Sequence, residues 1–369
     1  MKENAVRKRG HKVFFLSVLL VVTGGFSQDI TENPETPLNR NSGRILKLEQ
    51  VMRIESEGEG YYLSSPSKLE FDHEGNLYVR DVTHSNAPAN LFKFSPSGRF
   101  LKNLLRQGEG PGEIQSMFHY AVVDNEIHVM DMMKSKIVIM DLNGEFVREY
   151  RLGGDTFNGC LGLWDGKLVL LKMVPPYERK TSRLYDDEMK VILVSNEGKT
   201  REEVHSFQRK SFYISLAQGG GWKDWDPFIS VLGENGRLYV CHAQEYRIEV
   251  LDLKTRGIVQ RFNRKFPRVR YDARSWESEF TKTHNAPIKK YENDIRDLLL
   301  NEKMLWVKTS VVIDGKGTLY DIFDSGGKYA DSVYIDLPGS VLRIAGEFLF
   351  AVETDAESLP SIAKYRILN

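Results

Sequence analysis

Met140-Asp141-Leu142-Asn143-Gly144-Glu145-Phe146 reads as the end of an apolar strand, a turn led by aspartate, a glycine, and a returning strand. The unit recurs as Phe94-Ser95-Pro96-Ser97-Gly98-Arg99-Phe100, Val194-Ser195-Asn196-Glu197-Gly198, Leu251-Asp252-Leu253-Lys254-Thr255-Arg256-Gly257 and Phe323-Asp324-Ser325-Gly326-Gly327-Lys328-Tyr329. The Leu251 copy has the longer turn. Recurrence of one supersecondary unit along a chain marks a repeat architecture.

A second element accompanies the first: a small or polar turn followed by alternating apolar residues. Its copies are Gly75-Asn76-Leu77-Tyr78-Val79, Asn125-Glu126-Ile127-His128-Val129, Gly166-Lys167-Leu168-Val169-Leu170, Gly236-Arg237-Leu238-Tyr239-Val240, Lys303-Met304-Leu305-Trp306-Val307 and Gly346-Glu347-Phe348-Leu349-Phe350. They are spaced by about 50, 41, 70, 67 and 43 residues. The short intervals match a four-stranded propeller blade of roughly 40–50 residues. The long ones require insertions, expected at residues 174–190 and 268–293. A short helix is expected at 272–282.

Another apolar strand precedes each copy, and a more polar strand follows the glycine turn. Each unit therefore reads as strands a, b, c and d joined by hairpins. Blade 5 needs residues 295–300 as its strand a, although their spacing also fits a helical stripe. The sixth unit ends with its strand c, near Leu368. Residues 44–51 are strand-like and have no other partner. They are expected to supply the missing outer strand, closing the ring and removing open edges. The expected fold is all-β, a six-bladed β-propeller over 44–369, closed by an N-terminal outer strand.

The glycine-rich turn Gly108-Glu109-Gly110-Pro111-Gly112 completes a longer pattern. Pro66-Ser67-Lys68-Leu69, Asp72, Gly75-Asn76-Leu77-Tyr78-Val79, Asp81, Phe94, Gly98-Arg99-Phe100 and this turn together resemble an NHL repeat. The chain as a whole is similar to exported bacterial six-bladed propellers of the NHL-repeat/TolB-like type. The resemblance is clearest over 66–152 and weakest in blade 3. It implies a scaffold that hosts receptors, lactonases and lyases alike, so it specifies architecture and not activity.

The N-terminus has the composition of a targeting segment. Lys2, Arg7, Lys8, Arg9 and Lys12 precede a mostly apolar run at 13–22 that is short for a bilayer span, then Gly24, Gly25 and Ser27. This reads as a signal peptide at 1–27, with 28–43 as a linker; an uncleaved signal anchor is the alternative. The expected location is periplasmic or secreted, in a bacterium, with the membrane touched only by the signal segment. Lys+Arg and Asp+Glu are both 51, which argues against a nucleic-acid partner. Cys160 and Cys241 sit in apolar strand-like segments and are expected as buried free thiols rather than a disulfide framework.

Catalytic motifs are absent. The 108–112 turn lacks the Lys-Ser/Thr pair and helix of a phosphate loop, and no G-x-S-x-G elbow occurs. Asp81, Asp131 and Asp324 end or follow strands, where they would hold a divalent cation at a channel mouth or cap turns. No cofactor motif supports the cation. His119, His128 and His242 lie in or beside strands of three blades and would have to converge near the axis to make a metal-assisted hydrolase or lyase. Gly219-Gly220-Gly221-Trp222-Lys223-Asp224-Trp225-Asp226-Pro227 is the least ordinary local composition: a mobile loop whose tryptophans present a recognition face or fold back onto blade 4. The candidate binding residues are Trp222, Trp225, Asp81, Arg80, His242 and Tyr177. The expected function is non-enzymatic binding of a protein, peptide or glycan by a monomer.

Overall fold

The computed structural model describes residues 30–82, 89–153, 157–175, 181–195, 197–216, 219–272, 282–283 and 286–368. The expected signal peptide lies outside the described residues, as does nearly all of the expected helix at 272–282.

Six antiparallel sheets follow one another along the chain. Blade 1 is Pro66–Phe71, Leu77–Asp81, Asn90–Phe94 and Phe100–Asn103. Blade 2 is Met117–Val123, Glu126–Asp131, Lys136–Asp141 and Phe146–Arg151. Blade 3 is Gly159–Trp164, Lys167–Val174, Arg183–Ser195, Arg201–Leu216 and a fifth strand, Gly219–Asp224. Blade 4 is Phe228–Leu232, Arg237–His242, Arg247–Asp252 and Gly257–Arg264. Blade 5 is Ile295–Asn301, Met304–Ile313, Gly317–Phe323 and Tyr329–Ile335, so its strand a is a strand, as expected. Blade 6 is Gly339–Ala345, Phe348–Thr354, Pro360–Leu368 and, from the far end of the chain, Lys47–Ile54.

That last pairing closes the ring. Ile54 opposes Ile362 and Lys47 opposes Leu368 in antiparallel register. The buried residues confirm the closure. Each pair of neighbouring blades shares an apolar cluster, and the blade 6–blade 1 cluster joins Ile54, Phe350 and Ile362 to Leu69, Phe92 and Phe94. An open array would leave these faces in water at about 25 cal/mol per Å² of apolar surface.

The turn glycine of the repeat has a physical reason. Gly98 holds φ 85°, and a Cβ there would lie 2.9 Å from Met52 Sδ on the outer strand of the preceding blade. Gly327 holds φ 70° and would strike Phe262 Cδ1 at 2.7 Å. Both positions need the left-handed backbone region and close packing, which only glycine meets cheaply. Aspartates lead several of these turns. Asp141 accepts the amides of Asn143 (2.8 Å) and Glu145 (2.9 Å), and Asp324 accepts those of Gly326 and Lys328 (both 2.9 Å).

Two findings depart from the sequence reading. The stretch taken as a linker is part of the propeller. Thr31–Asn33 of that stretch adds in parallel to the outer strand of blade 4; beyond it, Arg44–Ile45, expected in the closing strand, adds instead in parallel to the outer strand of blade 5. Asn33 fixes the first contact, donating to Asn263 O and Gly327 O (both 2.9 Å) and accepting from the Tyr329 amide (2.9 Å). The triple glycine is not a loop either. Gly219–Asp224 pairs with Ser211–Leu216 of blade 3's long fourth strand. That strand runs past the usual blade edge, and the returning segment satisfies its backbone groups.

A buried node ties blade 4 to blade 5. Asp321, fully buried, accepts Tyr246 Oη (2.6 Å), Arg264 Nε (2.7 Å) and Tyr329 Oη (2.6 Å). The Arg264 guanidinium lies over the Tyr246, Phe266 and Tyr329 rings. Cys160 and Cys241 are free and buried, as expected.

Candidate functional site

Strands a and c run one way and strands b and d the other. The a–b and c–d turns therefore share one face, and the b–c loops and d–a links share the opposite one. All connections on the first face are two to five residues long. Every long interval between strands joins strand ends on the second: 55–65, 82–89, 104–116, 175–182 and 265–294. Blade 3 also extends there, because its strands Arg183–Ser195 and Arg201–Leu216 form a ribbon paired from Arg183–Tyr213 to Val194–Arg201. Six exposed apolar side chains lie on this long-loop face: Met132, Met133 (64% exposed), Leu184, Ile288 (75% exposed), Val312 and Ile313; others, such as Leu101, Phe146 and Val147, lie on outer strands.

The best-defined polar group on this face lies where blades 3 and 4 meet. Trp225 follows the fifth strand, and its amide donates to Lys210 O (3.1 Å). Its carbonyl accepts Gln244 Nε2 (2.5 Å), and Lys289 Nζ sits 5.2 Å from its ring. The neighbouring Asp226 accepts the Gln244 amide (3.1 Å) and lies 3.8 Å from His242 Nδ1. His242 Nε2 is 3.7 Å from Glu249, which also receives Arg261 Nε (2.8 Å). Asp226 and Glu249 hold the His242 pKa up at about 9. His242 and Arg261 in turn hold Glu249 down at about 2. His242 is therefore a cation at neutral pH, a poor general base and a poor metal ligand.

The axial channel is lined by strand a of all six blades and encloses about 440 Å³. Lys68 Nζ donates to Tyr120 O (2.6 Å) and lies 3.2 Å from Glu70. Arg343 Nη1 lies 2.9 Å from the same carboxylate. His119 lines the channel, and burial, with Lys68 and Arg80 beside it, pushes its pKa down to about 3.

The sequence candidates divide accordingly. Trp225 and His242 are brought together through Asp226 and Gln244. Trp222 pairs by its backbone with Tyr213, but its side chain lies outside the described residues, as does Tyr177. Asp81 is buried and accepts the amides of Ser64 (2.9 Å) and Ser65 (2.7 Å). Asp131 repeats this with Gln115 (2.8 Å) and Ser116 (3.2 Å). Both aspartates thus cap the segment entering their own blade, the turn-capping alternative. Arg80 donates to Ser67 Oγ (2.8 Å) beside the channel. The three histidines do not converge: His119 is axial, while His128 is buried 3.3 Å from Glu126 and His242 belongs to the blade 3–4 group. Their separate heights on separate blades carry no periodic signal that spacing could reveal. Among the described residues no three His, Cys, Asp or Glu side chains are grouped to hold a metal ion. The sequence reading quoted Asp226 within the tryptophan segment without making it a candidate, and it missed Glu249 and Arg261, which look like ordinary mid-strand charges.

Comparison with known proteins agrees with the sheet order. Residues 57–213 match the DUF5128 family model, described as a 6-bladed beta-propeller. No curated protein matches the chain. Among solved structures, the chain is similar to a Bacteroides fragilis NCTC 9343 protein described as exported. The TM-score is 0.56 and the identity 14%, covering 92% of this chain and 100% of that one. It is equally similar to a DUF4221 member from Bacteroides vulgatus ATCC 8482, at TM-score 0.56 and 12% identity over 88% and 99% of the two chains. Virginiamycin B lyase from Staphylococcus aureus aligns at TM-score 0.46 and 9% identity, over 88% of this chain and 100% of that one. At such identities the likeness is one of fold. Blade order, ring closure and family match meet in one statement: this chain is a six-bladed β-propeller.

Proposed function

We propose that the protein is an exported, monomeric, non-enzymatic propeller that holds a protein, peptide or glycan against its long-loop face. The observation that carries this reading is the asymmetry of the two faces. Added chain length and the blade 3 ribbon fall on one side, where Met133, Ile288 and Val312 are exposed; other exposed apolar residues, such as Phe146 and Val147, lie on outer strands at the short-turn end. Apolar groups within a polar rim are the usual make-up of a recognition surface. Here the rim is Arg268, Asp294, Lys289 and the His242 group. Arg268 Nε bonds Asp294 (3.0 Å) and its guanidinium stacks on Tyr291. The basic segment and short apolar run at 2–22 support export, to the periplasm or beyond. The motif over 66–112 supports an NHL-type ancestry for the blades.

The test is positional cross-linking in the native cell envelope. A photoreactive residue at Met133 or Ile288 is expected to capture one discrete partner or glycan. The same residue at Asn125 or Glu302, on the short-turn face, is expected to capture none. Equal capture from both faces removes the long-loop face as the recognition surface.

A further inference from the structure

The channel wall is largely apolar, and its charged groups are concentrated on one side. Blades 3, 4 and 5 line it mainly with Leu161, Leu163, Val231, Leu232, Leu299 and Leu300, with Glu234 exposed at the a–b turn of blade 4. Blades 6, 1 and 2 add Arg343, Lys68, Glu70 and His119 among further apolar residues such as Leu69, Val122 and Ile344. On this second side cations outnumber carboxylates. Glu70 is the single carboxylate bonded to both Lys68 and Arg343.

Arg80 adds a further positive charge. It stands opposite Lys68 in the pairing of strands a and b of blade 1. The one hydrogen bond its guanidinium makes to a described residue goes to Ser67 Oγ, itself a channel residue. Its Nε is buried with no acceptor, and no carboxylate lies within ion-pair distance of it among the described residues. Arg80 is half-buried on strand b, behind the channel-lining strand, and its planar fork suits a carboxylate. His119 makes no hydrogen bond to a described residue; being neutral, it offers a ring N–H rather than a further charge. Across the channel, Asp297 and Lys308 oppose each other within blade 5 and offset one another.

We infer that the channel binds a small amphiphilic carboxylate, its head group held by Arg80, Lys68 and His119 and its apolar body against the leucine wall. The cavity size falls within the range of small-molecule sites, roughly 300–1,000 Å³. The apolar wall separates this ligand from an inorganic anion, which would leave the leucines unused. The inference does not depend on any partner at the long-loop face.

The test titrates the purified full chain with octanoate, octanol and inorganic phosphate by calorimetry. Saturable octanoate binding is expected, with octanol and phosphate each at least tenfold weaker. Arg80→Gln is expected to weaken octanoate at least tenfold while leaving circular dichroism and melting temperature unchanged. Lys68→Gln also removes the bond to Tyr120 O, so it is read only if its melting temperature is unchanged. The inference is overturned if octanoate does not saturate, if Arg80→Gln binds it as wild type does, or if phosphate or octanol binds as tightly as octanoate.

Discussion

His242 is the residue whose charge the structure constrains most openly. Asp226 and Glu249 flank it at 3.8 and 3.7 Å and raise its pKa from an ordinary value near 6.5 to about 9. A folded-state pKa raised in this way contributes stability that is complete below the unfolded value and lost as pH climbs through the folded one. The difference in unfolding free energy between wild type and His242→Gln is therefore expected to be largest near pH 6 and to vanish by pH 10. Its size is about 1 kcal/mol, because the contacts are long and the site is partly solvated. Urea denaturation at pH 6, 8 and 10 measures it; a difference that stays flat over this range contradicts the ion-contact account. At this scale the sequence was legible only where chemistry is local. Asp81 and Asp131 cap neighbouring amides, which a strand-ending aspartate already implies. Asp321 gathers partners from Tyr246, Arg264 and Tyr329, and nothing near it in sequence signals the meeting.

Strands were legible wherever a period of two met a turn glycine, because both features come from backbone geometry. They were illegible where pairing rather than propensity decides. Three glycines disfavour a strand, yet Gly219–Asp224 forms one because the long fourth strand of blade 3 offers it unpaired backbone. Thr31–Asn33 is too short to show alternation, yet it is fixed along blade 4 by Asn33. This segment crosses from blade 4 to blade 5: Leu38 N donates to Tyr329 O (3.1 Å) and Gly43 N to Ser332 O (2.7 Å). It thus works as a belt over two outer edges. Asn33→Ala leaves the buried Tyr329 amide without its acceptor, at about 1–3 kcal/mol. The expected outcome is that loss in chemical denaturation together with faster amide exchange at Tyr329. Exchange there at the wild-type rate would show that the belt is not held by Asn33.

A propeller closed by strands from both chain ends concentrates its weakness at one seam. Each blade is otherwise formed by residues close in sequence, whereas Lys47–Ile54 must find Pro360–Leu368 across the whole fold. Closing that loop costs chain entropy before the blade 6–blade 1 cluster can form. Glu49 and Arg366 are opposite each other in this seam, exposed, and bonded at 3.1 Å. Directly opposed residues of an antiparallel pair have the Cα separation that a disulfide needs, about 4.5–5.5 Å. The double variant Glu49→Cys, Arg366→Cys is therefore expected to oxidise readily and to stabilise the ring by about 2–4 kcal/mol, since the bridge encloses nearly the entire propeller. Cys160 and Cys241 are buried and poorly placed to interfere. Denaturation with and without dithiothreitol measures the gain, which should disappear on reduction. If the oxidised protein unfolds no later than the reduced one, the seam is not where unfolding begins, and stability lies instead in the blade-to-blade cores that the repeat itself creates.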